Sequence, residues 1–264
     1  MFQQNLQDLV NQSGFPLQIA VANAVDQSFR NHGWKVQYTE HAWRDTQCND
    51  DGFIDLVLHH QHLACTLVVE CKRVLESSWI FLVPGDRAPN RRHVKAWVTQ
   101  YASGSLRRFY WTDLTLDPAT PQAEYCVVPG QDAKSKPMIE RIGADLVSST
   151  LALAQEEQPI VARLPQGMRL YFSVLVTTAN LSVCTFDPST IPLRDGKIPA
   201  GNFHEVPYIR FRKQLSTHPL TEAEIAEATT SSLANAKEHT VFVVQAEALS
   251  SFLSEFELDN HTLR

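Results

Sequence analysis

Three residues combine types and spacing that could hydrolyse a phosphate ester: Asp55, Glu70 and Lys72. Glu70 and Lys72 close the apolar run Thr66-Leu67-Val68-Val69. On a strand, residues two apart share a face, so this carboxylate and ammonium stand side by side while Leu67, Val69 and Cys71 point the other way. Asp55 lies on the preceding apolar run, between Ile54 and Leu56. If the two runs pair as a hairpin, Asp55 comes near Glu70 at one end of the sheet. Two carboxylates can hold a hard divalent cation. Such a cation acidifies a bound water and stabilises charge on a phosphoryl oxygen, and a nearby ammonium offsets the negative charge of the transition state. Crowding two acids is otherwise costly, because each opposes the other's ionisation. The plain alternative is a group of solvated charges at a strand end, and spacing alone leaves it open.

The elements that must position these residues follow from periodicity. Pro16 suits a first helical turn, Leu17, Ala20, Val21, Ala24, Val25 and Phe29 form one apolar face, and Gly33 stops the helix. Strands are expected over 34–40, 53–60 and 63–72, the last two as a hairpin, with a polar connection between the first two. Residues 78–84 are apolar, and 91–110 read as a helix with Val94, Trp97, Val98, Tyr101 and Leu106 as an imperfect stripe. Pro118, Pro121, Pro129 and Pro137 suggest that 112–137 is largely irregular. A helix is expected over 138–157, strands over 170–178, 181–186, 205–213 and 240–244, and a final helix over 248–256. Thr221 and Glu224 form a capping-box pattern ahead of a helix to about Lys237. The order is mixed α/β without the regular alternation of a Rossmann domain or a barrel.

Composition narrows the class. The 264 residues can bury a sizeable core, and 44% hydrophobic with 20% charged content is ordinary for a soluble globular protein. No apolar run reaches the ~18 residues of a membrane span, and the N-terminus lacks a signal-peptide pattern. The five cysteines are odd in number and form no CxxC pair, so reduced thiols in a cytoplasmic protein are expected. A formal charge of -6 argues against strong nonspecific binding to nucleic acid, although a local basic face can coexist with it.

The order Asp55, then Glu70-Cys71-Lys72 at the end of an apolar strand, resembles the PD-(D/E)xK nuclease superfamily, the restriction-endonuclease-like proteins. Residues 14–25 look like its first core helix, 53–58 and 67–73 like its two active-site strands, and 170–181 like a later core strand. Residues 78–84 resemble the tryptophan-plus-apolar segment that follows the lysine in some members. The resemblance implies an α/β core over 1–186, a central mixed sheet flanked by helices. A long insertion falls at about 85–168, and 187–264 would be a C-terminal extension packed on the same domain. It implies Asp55 and Glu70 as ligands of Mg2+ or Mn2+, and Lys72 as the residue that positions the nucleophilic water. The family's first-helix glutamate falls on Gln18, which offers a carbonyl oxygen without charge. Glu40 is a candidate substitute.

The implied activity is phosphodiester hydrolysis, in DNA before RNA, in genome defence or DNA repair. A homodimer, a partner ATPase or another complex subunit are partners that such proteins take. The rival is a nuclease-like protein that has lost activity and serves as a binding or structural subunit. Gln18 and the acidic charge favour that rival, and the joint presence of Asp55, Glu70 and Lys72 disfavours it. Two basic groups could meet phosphates: Arg91, Arg92, Lys95, Arg107 and Arg108 on the expected helix, and Arg210, Arg212 and Lys213 on a strand. Solvated faces or internal ion pairs account for them equally well. Gln100-Tyr101 is similar to a Gln/Tyr element near the site in some members. His59, His60 and His62 at the hairpin turn read as exposed turn histidines before a metal site.

Overall fold

The computed structural model describes residues 2–45, 50–75, 77–85, 89–131, 136–215, 225 and 233–259. Helix α1 (Phe2–Gln12) leads into α2 (Phe15–His32), and β1 (Trp34–Asp45), β2 (Asp50–His60) and β3 (Cys65–Lys72) follow. Then come β4 (Ser78–Pro84), β5 (Arg91–Ala102), β6 (Ser105–Thr120), β7 (Gln122–Ala123) and β8 (Tyr125–Val127). Helix α3 (Met138–Val161) precedes β9 (Met168–Thr177), β10 (Asn180–Phe186), β11 (Asn202–Glu205) and β12 (Tyr208–Gln214). The chain closes with α4 (Leu233–Ala236), β13 (Glu238–Gln245), α5 (Leu249–Glu255) and β14 (Glu257–Leu258).

The fold is mixed α+β, a central mixed sheet flanked by helices. Its main path runs β1-β2-β3-β9-β13-β12-β7, and β5 joins the N-terminal half of β9 with β6 beyond it. β2 runs antiparallel to both of its neighbours, β1 and β3, whereas β9 lies parallel to β3 and to β13. β3 is central and buried on both faces, as suits a strand joined to its parallel neighbour β9 by a long crossover. A smaller sheet, β11-β10-β4-β8, contributes Trp79, Phe81, Leu181 and Val183 to one core.

Strand parity sorts the sheet into two cores. Val57, Val68, Tyr171 and Leu175 face α3 with Ile142, Leu146 and Leu153. Leu56, Leu58, Leu67, Val69 and Cys71 face α2 with Val21 and Val25, and α5 with Phe252. The start and stop of α2 follow local rules: Pro16 occupies its first turn, and Gly33 at φ 72° returns its N–H to the Phe29 carbonyl. A Cβ at Gly33 would also sit 2.9 Å from His60 Nε2.

Two expectations are corrected. Residues 91–110 are not a helix but most of the β5–β6 hairpin. Val94, Ala96 and Val98 face the α2 side while Trp97 faces the α3 side, the period-2 alternation of a strand. Ser103 (φ 52°) and Gly104 (φ 76°) both take positive φ, as a two-residue hairpin turn with primed geometry requires. Residues 112–137 are likewise not largely irregular, since β6 runs on to Thr120 and β7 and β8 follow. The strand expected over 34–40 continues to Asp45, and β2 begins at Asp50, which shortens the polar connection. The capping-box pattern at Thr221 and Glu224 lies outside the described residues.

Candidate active site

The site arises where the sheet forks. β2 pairs with β3 only from His59↔Thr66 to Leu56↔Val69. Beyond that rung β2 stays with β1 down to Asp45↔Asp50, and β3 stays with β9 up to Lys72↔Thr177. Asp55 stands at the first position of one prong, and Glu70, Cys71 and Lys72 extend the other. In place of a further backbone rung, Asp55 Oδ2 accepts the N–H of Cys71 at 2.7 Å. Ile54 packs in the α3-side core while Leu56 packs in the α2-side core, so the strand turns about its axis at Asp55.

The adjoining strand is strained at the same level. Thr39 pairs with Leu56 and His41 with Ile54, which puts Glu40 beside Asp55 with a left-handed backbone at φ 49°. A non-glycine residue there is uncommon and needs support from its surroundings. Gln18 of α2 supplies it, donating from Nε2 to Glu40 Oε1 at 2.5 Å and to the Asp55 carbonyl at 3.0 Å. Gln18 thus ties the first helix to both strands through its amide nitrogen. Glu40 is the candidate substitute for the first-helix acid, and the left-handed backbone that places it beside Asp55 leaves no residue-type signal in the sequence.

The electrostatics follow from this crowding. Burial raises the Asp55 pKa and the Glu40 charge adds to it, against the Cys71 N–H and Lys72. Glu70 is pushed up to about 7, by burial first, then by Asp55, Asp145 and Glu40, with Lys72 opposing. Lys72 makes no direct ion pair with a described residue, so its charge acts on both carboxyls across a gap. Cys71 is buried against the α2 side and its thiol pKa is raised, which removes it as a nucleophile.

Glu70 also lines a cleft of about 260 Å³ between the prongs and α3, with Trp43, Asp50, Phe53, Ile54 and Asp145. Asp55 and Lys72 do not line it. Among the described residues no three His, Cys, Asp or Glu side chains converge on one ion position. Mg2+ typically takes one or two carboxylates and keeps several waters. A pair of coupled, partly buried carboxyls with one pKa at about 7 is an arrangement that a cation relieves.

The basic groups lie apart from the expected pattern. None is on a helix: Arg91, Arg92 and Lys95 are on β5, Arg107 and Arg108 on β6. Arg92 donates to both Asp117 oxygens, at 2.8 and 2.7 Å, and Lys95 is buried 2.8 Å from Asp113. Arg212 pairs with Asp113 and Glu238, and Lys213 with Glu140. Arg210 is fully buried, donating to the carbonyls of Leu116 and Pro118 and to Thr120 Oγ1, with Phe242 beneath it. That placement takes Arg210 out of any contact with an external phosphate. Arg91 and Arg107 are exposed and Arg108 half-buried. The turn histidines are also only partly exposed: His62 is, whereas His59 and His60 are half-buried.

No protein-family model matches the chain, and neither a curated protein nor a solved structure matches it.

Proposed function

We propose that the chain is a divalent-cation-dependent nuclease of the PD-(D/E)xK type, cleaving phosphodiester bonds in DNA in genome defence or repair. The observation that carries this reading is the fork: β2 and β3 part company at the level of Asp55, Glu70 and Lys72. The order α2-β1-β2-β3, then α3-β9 after the intervening β4–β8, with the two helices on opposite faces, supports a restriction-endonuclease-like core.

A bound Mg2+ or Mn2+ would supply charge stabilisation at the phosphoryl group and a more acidic water. The chain's own residues supply the rest. Asp55 and Glu70 would hold the cation, Asp55 with its second oxygen fixed on the Cys71 N–H. Lys72 stands in the field of both carboxyls without being consumed by an ion pair with a described residue, so its ammonium can orient a water and offset charge. Gln18 fastens α2 to the β1–β2 prong through Glu40 and the Asp55 carbonyl, which holds Asp55 in place.

A second reading is an inactive nuclease-like subunit of a larger assembly. The acidic cleft beside Glu70 and the amide of Gln18 bonded within the fold favour it. One experiment separates the two. Supercoiled, linear and branched DNA are incubated with the protein and Mg2+ or Mn2+, beside Asp55→Ala and Lys72→Ala. The nuclease reading expects cleavage that falls at least about a hundredfold in both variants. Cleavage surviving both substitutions places the chemistry elsewhere, and no cleavage together with no calorimetric cation binding selects the inactive subunit.

A further inference from the structure

At the other end of the same strands lies a second cavity, of about 230 Å³. It opens between the β2–β3 turn and the starts of β1 and β9. Lys35 of β1 sits directly opposite His59 of β2, so the two share a face. Arg169 of β9 brings Nη1 to 3.4 Å from His59 Nε2. Three strands thus set an ammonium, an imidazole and a guanidinium in one row along the cavity.

The only carboxylate against this row among the described residues is Glu157 of α3, which is 2% exposed and does not line the cavity. It accepts from Arg169 Nη1 at 2.8 Å and from the Tyr171 hydroxyl at 2.9 Å, and its other oxygen lies 3.4 Å from His59 Nε2. Glu157 therefore anchors the guanidinium from behind and neutralises one cation. Lys35 makes no ion pair with a described residue, and no acidic side chain is among the described residues that line the cavity. His60 contributes shape instead of charge: its Nδ1 accepts the N–H groups of His62 and Leu63, and burial lowers its pKa. A surplus of positive charge in a concave site focuses potential on an anion, and a guanidinium held in place by a carboxylate is pre-organised for phosphate oxygens. The volume lies below the ~300 Å³ at which drug-sized pockets begin, which suits a phosphate with a small attached group.

We propose that this cavity binds a phosphate monoester through Arg169 and Lys35, with His59 beside them. The ester is either a free mononucleotide or the phosphorylated end of a nucleic-acid strand. The site is independent of the cation chemistry at Asp55 and Glu70.

The test is a set of NMR titrations in EDTA, so that no divalent cation takes part. Histidine ring signals are followed with inorganic phosphate, adenosine 5′-monophosphate, adenosine, and a hexanucleotide with and without a 5′-phosphate. Saturable shifts at His59 are expected only with the phosphate-bearing probes. Lys35→Glu is expected to weaken binding about tenfold, the loss of one charge-assisted contact. Arg30→Glu, the same charge change at an exposed position of α2, leaves affinity unchanged. Arg169→Lys keeps a cation beside Glu157, so the fold is retained while binding weakens. Tighter binding of the phosphorylated hexanucleotide than of the mononucleotide assigns the site to strand ends, and the reverse assigns it to small ligands. Absence of saturable shifts, equal binding of adenosine, or equal losses in Lys35→Glu and Arg30→Glu overturns the proposal.

Discussion

Glu70 carries its charge in a place that resists it, because burial, Asp55, Asp145 and Glu40 all act against ionisation and only Lys72 favours it. Its carboxyl titrates at about 7, above the ordinary 4.5 of the unfolded chain, so the folded protein keeps a proton that the unfolded chain has released. The sign is then fixed: the stability linked to this group is complete below its unfolded value and is lost as pH rises through its folded one. A shift of this size corresponds to about 3 kcal/mol at most. Urea unfolding at about pH 5 and about pH 8 should show the wild type losing stability, and Glu70→Gln losing less by up to that amount. Identical pH dependence in the two proteins would mean that Glu70 is not crowded. The residue types of this cluster were legible in the sequence, since parity and the hairpin already joined Asp55, Glu70 and Lys72. The contributions of Glu40 and Asp145 were not, because they depend on a left-handed backbone residue and on where α3 docks.

At the scale of elements, strands and helices with a single dominant neighbour were readable, and the β5–β6 hairpin was not. Trp97 and Val98 both sit near one stripe at helical spacing, yet they point to opposite cores. The stronger signal was the Ser103-Gly104 turn, whose positive φ values fit a hairpin and not a continuing helix. The same hairpin explains why Arg210 is buried. β6 runs to Thr120 close to β12, and the carbonyls of Leu116 and Pro118 on it accept from the guanidinium of Arg210. Burial lowers the Arg210 pKa to about 10, which still leaves it charged at neutral pH. Arg210→Met keeps apolar contact with Phe242 but strands the Leu116 and Pro118 carbonyls, while the Thr120 hydroxyl keeps its bond to the Pro121 carbonyl. Loss of such buried partners costs about 1–3 kcal/mol per group, so a destabilisation of about 3 kcal/mol or more is expected in chemical denaturation. A change below about 0.5 kcal/mol would return Arg210 to the class of surface residues.

At the scale of the whole molecule, one sheet carries two chemically opposite ends. The fork end gathers Asp55, Glu70, Glu40, Asp50 and Asp145, and the turn end gathers Lys35, His59 and Arg169. The net charge of -6 gave no hint of this division, because it averages over both. An acidic end that is costly to ionise should gain stability from any cation that binds the folded state alone. The gain is RT ln(1 + [L]/Kd), about 2.7 kcal/mol at a hundred times Kd. For a chain of this size each kcal/mol moves the melting temperature by roughly 2–4 °C. Mg2+ or Mn2+ at millimolar concentration should therefore raise the melting temperature by several degrees at about pH 7.5, where Glu70 is largely ionised, and less at about pH 5.5, where protons compete. Asp55→Asn with Glu70→Gln should abolish the rise while itself melting no lower than the wild type without cation, since it removes charges that repel. Na+ at matched ionic strength separates a site from general screening: a rise that Na+ reproduces would reduce the fork to a patch of surface charge.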